Sequence, residues 1–245
     1  MENIFMKILV FDTYEEMSMA AADIMADVIK NNPSGVIGLA TGSTPVGMYN
    51  CLAEKCKNGE LDFSGIKSVN LDEYYPISPD NRQSYRYFMN ENLFSKVNIK
   101  LENTRVPAGD AEDPDLECEE YEKYIDSLGG MDIQVLGIGQ NGHIGFNEPD
   151  SFLYSDTHVT GLTDSTMQAN ARFFSEDEVM PTKALTMGMG SIFKARKIIV
   201  MANGKAKKDA VRKLISGKIT TECPVTFLNL HSDVTLICDK LAIED

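Results

Sequence analysis

With 245 residues, 43% of them hydrophobic and 24% charged, the chain has ordinary soluble values and suits one large α/β domain, with room for two small ones. A formal net charge of −14 argues against general affinity for nucleic acid or an anionic membrane, yet leaves room for a locally basic pocket. The cysteines at 51, 56, 118, 223 and 238 show neither zinc nor disulfide spacing, and no leader pattern or membrane-length apolar run is legible, so the cytoplasm is the expected setting.

KILVF (7–11) reads as a first strand. Thr13 and Glu16 then form a capping-box pattern, and Met17, Ala20, Ala21, Ile24, Met25 and Val28 recur at helical spacing. These methionines fill core rather than bind metal. GVIGLA (35–40) is a second strand, followed by Thr41, Gly42, Ser43 and Thr44. Pro45 suits the first position of the next helix, with Thr44 as its expected cap. Hydroxyls, exposed N–H groups and a helix start make this turn a candidate anion cradle. An ordinary capped turn looks the same locally, and the Walker spacing of a nucleotide loop is absent.

The next strand ends in Leu71, with Asp72 and Glu73 just past it. A carboxylate at a strand end is costly to bury unless hydrated or employed, so Asp72 is a candidate base, against the plainer reading of a solvated turn. Ser84 caps a helix reaching Phe94, with Tyr85, Phe88, Met89 and Leu93 as its core stripe and Arg82 and Arg86 toward solvent or paired. NTRVPAGD is a short strand and turn. The acidic run 111–130 reads as a helix with Leu116, Tyr121, Tyr124, Ile125 and Leu128 on its apolar face and its charges in water.

MDIQVLGIGQNGHIGFNEP (131–149) carries the densest signal. Its apolar start is a buried strand, and Gly139, Gly142 and Gly145 permit tight turning beside Asn141, His143 and Glu148. Gly137, Gly139 and Gly142 match a dinucleotide GxGxxG. The long helix and downstream acidic residue that this fingerprint requires do not follow, because Pro149 interrupts the chain. Periodicity then fades. The polar stretch 160–181, with a weak helical pattern capped by Asp164, is the expected mobile cover over a site. ALTMGMG (184–190) and RKIIVMANG (196–204) read as strands with a short SIFKA helix between them, a helix begins at Gly204–Lys205, and VTLICD (234–239) is a last strand. A lysine in a first helical turn opposes the helix dipole, which points to an anion near Lys205.

Roughly six β–α alternations predict a doubly wound, mostly parallel sheet whose post-strand loops meet at one edge. A cradle, a carboxylate base, and a histidine beside a carboxylate suit proton transfer on a small phosphorylated metabolite. A serine nucleophile elbow is missing. Asp72, His143 and Glu148 have no diagnostic metal-ligand spacing.

LATGSTPVGMY, NLDEYYPISPDNRQSYRYFM, LGIGQNGHIGFNEP, ARFF and ANGKA together resemble the glucosamine-6-phosphate deaminase family over nearly the whole chain. The resemblance implies a single α/β domain of modified Rossmann type, three-layered, without a dinucleotide, metal or other cofactor. It implies conversion of D-glucosamine 6-phosphate and water to D-fructose 6-phosphate and ammonia. Asp72 would move a proton between C2 and C1, His143 would help open the ring, and Glu148 and Asn141 would belong to its relay. Gly42, Ser43, Thr44, Arg172 and Lys205 would hold the phosphate. Many members have Asp where Asn141 stands, and an amide cannot stabilise an imidazolium by charge. His158 and Thr160 replace basic residues that bind an effector phosphate in regulated members. With no long extension past Asp245, a short, unregulated, monomeric enzyme is expected. The rival readings are a 6-phosphogluconolactonase, an enzyme for the galacto epimer, and a sugar-phosphate-binding regulator.

Overall fold

The computed structural model describes residues 6–163, 167 and 180–244. Seven parallel strands form the main sheet: β1 (Met6–Phe11), β2 (Val36–Leu39), β3 (Lys67–Asn70), β5 (Thr104–Arg105), β6 (Ile133–Gly137), β9 (Ile198–Ala202) and β10 (Val234–Asp239). Their spatial order is β1-β10-β9-β6-β2-β3-β5. The central strands are the continuously apolar ones, because both faces of a parallel sheet are covered. β1, at an edge, leaves Ile8 and Val10 exposed.

Helices α1 (Tyr14–Asn31), α2 (Val46–Lys57) and α3 (Tyr85–Asn92) cover one face through Met17, Met25, Met48, Tyr49, Leu52 and Met89. On the other face α4 (Pro114–Ser127), α5 (Met189–Phe193) and α6 (Lys208–Ile215) bury Tyr121, Ile125, Ile192, Val211 and Leu214. The result is the expected three-layer α/β architecture. From β2 the chain continues to β3 on one side, whereas from β6 it continues to β9 on the other. The crevice beyond the ends of β2 and β6 is therefore the topological switch point, where open α/β sheets bind ligands.

Local signals held where the partner residue was nearby. Thr13 and Glu16 form both bonds of the capping box, and Ser84 Oγ caps α3 by accepting from Tyr87 N–H. The acidic helix departs from expectation. Leu116 is exposed, whereas Glu117 is buried and accepts from Arg105 Nη2 at 3.0 Å and Ala108 N–H at 2.9 Å. Glu122 accepts from Thr157 N–H and Lys194 Nζ, both at 2.8 Å. Arg86 takes the paired alternative, half-buried and donating to Thr104 Oγ1 at 2.7 Å.

A second sheet was not expected from the sequence. Asp72 and Glu73 are not in a post-strand turn but open β4 (Asp72–Tyr75), which pairs antiparallel with β8 (Lys183–Thr186), itself paired with β7 (His158–Gly161). Beyond Thr186 the expected strand gives way to α5. Lys205 lies in a 3-10 turn ahead of α6. Among the described residues no helix is long and apolar enough to cross a membrane.

Candidate active site

Two short pieces of backbone bring Asp72 to the loop after β6. Asp72 faces Thr186 across the β4–β8 ladder. Thr186 Oγ1 accepts from Phe146 N–H at 3.1 Å, and Asn147 Nδ2 donates to Met187 O at 2.8 Å. Met187 N–H in turn donates to Leu71 O at 2.8 Å. At Gly145, φ is +58° and a methyl group would lie 3.3 Å from Asp72 Oδ2 and 2.8 Å from Thr186 Oγ1. Glycine thus lets the loop pass directly over the carboxylate. Phe146 completes the junction by stacking on Tyr85 at a centroid distance of 6.1 Å.

Asp72 is only 6% exposed. Among the described residues no donor or cation partners its carboxylate. Burial, and then the neighbouring Glu73 charge, push its pKa up to about 8. Glu73 is placed differently. Its carboxylate accepts the N–H groups of Tyr74, Tyr85 and Arg86 at 2.8–2.9 Å, capping α3. Burial still pushes Glu73 up to about 7, against those three donors. The adjacent acids are therefore placed differently, Glu73 anchoring a helix and Asp72 without a partner among the described residues.

The loop itself is shaped by an Asx turn: His143 N–H donates to Asn141 Oδ1 at 3.1 Å. The other end of the same amide donates to Glu148 Oε2 at 2.7 Å. Glu148 Oε1 lies 3.2 Å from His143 Nδ1, close but off the axis of a formed hydrogen bond. Asn141 thus gives Glu148 a neutral donor where an ionised aspartate would repel it. The imidazole lies over Gly139, whose N–H donates to His143 O at 2.9 Å.

Gly42 and Ser43 are exposed beyond β2, with Gly42 at φ +91°, a conformation costly for any residue with a Cβ. Thr44 does not cap α2. Pro45 holds the cap position without a side-chain bond, and Thr44 Oγ1 donates instead to Asn203 Oδ1 at 3.1 Å. That bond joins the cradle to the loop after β9, two residues before the exposed Lys205. Arg172 and most of the expected cover at 160–181 lie outside the described residues. His158 stacks on Tyr154 at 4.2 Å and its Nδ1 lies 2.9 Å from Asp156 O. Burial holds its pKa below the usual histidine value.

Thr186 and Asn203 were invisible as site residues in the sequence. Each sits in an ordinary strand-end context, and its importance comes from a partner more than 100 residues away.

The sequence model of the family described as glucosamine-6-phosphate isomerases/6-phosphogluconolactonase matches residues 12–237. A glucosamine-6-phosphate deaminase from Clostridium beijerinckii is 56% identical, covering 96% of this chain and 97% of that protein. The structure of a monomeric glucosamine-6-phosphate deaminase superposes with a TM-score of 0.93 at 47% identity, covering 96% of this chain and 98% of its own. A 6-phosphogluconolactonase from Trypanosoma cruzi, at 22% identity and a TM-score of 0.78 with 96% and 95% coverage, shares the fold alone. The chain belongs to the glucosamine-6-phosphate isomerase/6-phosphogluconolactonase family, within its glucosamine-6-phosphate deaminase branch.

Proposed function

We propose that the chain converts D-glucosamine 6-phosphate and water to D-fructose 6-phosphate and ammonia, as an isomerising deaminase. The observation that carries this reading is the buried Asp72 carboxylate, without a partner among the described residues, lying under the loop that bears His143. His143, oriented by Glu148 and Asn141, moves a proton between the ring and hydroxyl oxygens as the pyranose opens. Asp72 removes the C2 hydrogen of the open aldose and returns a proton to C1, which leaves an iminium at C2. Water adds to that carbon and ammonia departs. A carboxyl with a pKa of about 8 is well matched to this work, since efficient bases titrate near the operating pH.

The phosphate lies at the switch-point crevice, held by Gly42, Ser43 and Thr44 with Lys205 and Arg172. Asn203 supports this by tying the two described parts together. Lys205→Ala is expected to raise KM for the sugar phosphate by roughly 10- to 100-fold with a smaller change in kcat, as one charge-assisted contact is lost. Steady-state kinetics check this, and an unchanged KM removes Lys205 from the site.

A monomer in the cytoplasm completes the reading. Five unpaired thiols suit a reducing compartment, and the monomeric deaminase is a near-complete structural match. The deciding assay follows ammonia release from glucosamine 6-phosphate, its N-acetyl form and galactosamine 6-phosphate, alongside hydrolysis of 6-phosphogluconolactone. Ammonia from the gluco substrate is the expected result. Lactone hydrolysis without ammonia release overturns the assignment.

A further inference from the structure

We infer that Tyr14 is a positioning residue for phosphate binding: its hydroxyl, reaching across from α1, fixes the cradle peptides between β2 and α2. The inference rests on the proposed cradle at Gly42–Thr44 and adds a residue outside every motif that pointed to it.

Tyr14 Oη lies 3.0 Å from both Ser43 O and Thr44 O, and accepts from Gly47 N–H at 2.8 Å. A phenol has one proton to donate and lone pairs to accept with, so a single hydroxyl serves both sides of the loop–helix junction. Its proton is shared between the two carbonyls. Its lone pair takes a first-turn N–H of α2 that would otherwise have no intrahelical acceptor. Because α2 has no side-chain cap of its own, Tyr14 performs that task from a different helix.

The orientation of the cradle follows from peptide geometry. In a trans peptide the C=O and N–H point in opposite directions. Holding Ser43 C=O on Tyr14 therefore turns the Thr44 N–H to the opposite side of the loop. Among the described residues, the N–H groups of Gly42, Ser43 and Thr44 find no acceptor. Donors held in place before the anion arrives avoid the ordering cost of binding.

Tyr14 is itself well anchored. It follows Thr13, where the two bonds of the capping box start α1. Gly47 packs so closely on this helix that a methyl there would lie 2.3 Å from Ser18 Oγ and 2.9 Å from Tyr14 Cε1. On the far side, Thr44 is tied to Asn203. The loop is thus clamped between α1 and the segment after β9.

Tyr14→Phe in the full chain keeps the ring and its packing while deleting all three contacts. KM for glucosamine 6-phosphate and the inhibition constant for inorganic phosphate should rise together, by about fivefold for the net loss of one neutral hydrogen bond. The change in kcat should stay within about twofold. A purely structural role would lower the melting temperature and leave both phosphate constants unmoved, which would overturn the inference. Gly42→Ala, which strains the cradle directly, separates the two readings. If Gly42→Ala raises both constants and Tyr14→Phe raises neither, the cradle stands and Tyr14 falls. If Gly42→Ala raises neither, the cradle reading falls, and the inference with it.

Discussion

Asp72→Asn is expected to lower kcat by roughly two to four powers of ten, the range supplied by a positioned general base, while changing KM little. Asparagine preserves the shape of the side chain but cannot take a proton from carbon. Deuterium incorporation at C1 of the product, followed by NMR in heavy water, reads the step directly. A wild-type kcat in the variant removes Asp72 from the mechanism. The same substitution should alter pH behaviour in two ways. In the wild type, kcat/KM should climb as pH rises toward about 8, where the free carboxyl ionises. Stability should move the other way. The folded pKa is raised from 3.8 to about 8, so the native state holds a proton that the unfolded chain has released. Asp72 therefore favours folding fully below pH 3.8, and that contribution is lost as pH rises to about 8. Asp72→Asn, with no proton to lose, should accordingly gain stability relative to the wild type across that window. Denaturant melts at several pH values measure the difference.

Gly139→Ala should cost about a hundredfold in kcat, the scale of a 1 Å misplacement of a reacting group. A methyl at this position would sit 2.3–2.4 Å from His143 Cε1, Nδ1 and Nε2. The ring has to move, and its 3.2 Å approach to Glu148 is lost with it. Gly137→Ala is the internal control, since nothing lies within 4 Å of a methyl there. Kinetics of the two variants side by side give the answer. Equal activities would mean that the position of the imidazole does not limit the reaction.

Much of the frame was legible because its signals are local. VTLICD is a strand over all six of its residues, and the Thr13 and Ser84 caps formed as their neighbours required. Strand-end placement was legible for two of the candidate segments, since Gly42–Thr44 follow β2 and Asn141–Glu148 follow β6, whereas Asp72 opens β4 instead. The misreadings share one cause, a partner distant in sequence. Thr44 was expected to cap α2 from its spacing to Pro45, but Tyr14 and Asn203 compete for that junction from 30 residues before and 159 after. Glu117 and Glu122 sit in a run that reads as solvated until Arg105 and Lys194 come in from other elements. The small sheet was missed for the same reason, since DEYY resembles a polar turn until Lys183–Thr186 pairs with it.

Gly161 and Lys183 face each other on neighbouring strands, and Leu162 N–H donates to Thr182 O at 2.8 Å. Whatever the length of chain between them, it leaves and returns at the same place. Closing a longer excursion costs little, about 0.6 kcal/mol for each doubling. A change in length between Gly161 and Lys183 therefore need not disturb the register of β7 on β8. Asp72, the proposed base, is registered against Thr186 on β8, a pairing that does not depend on that length.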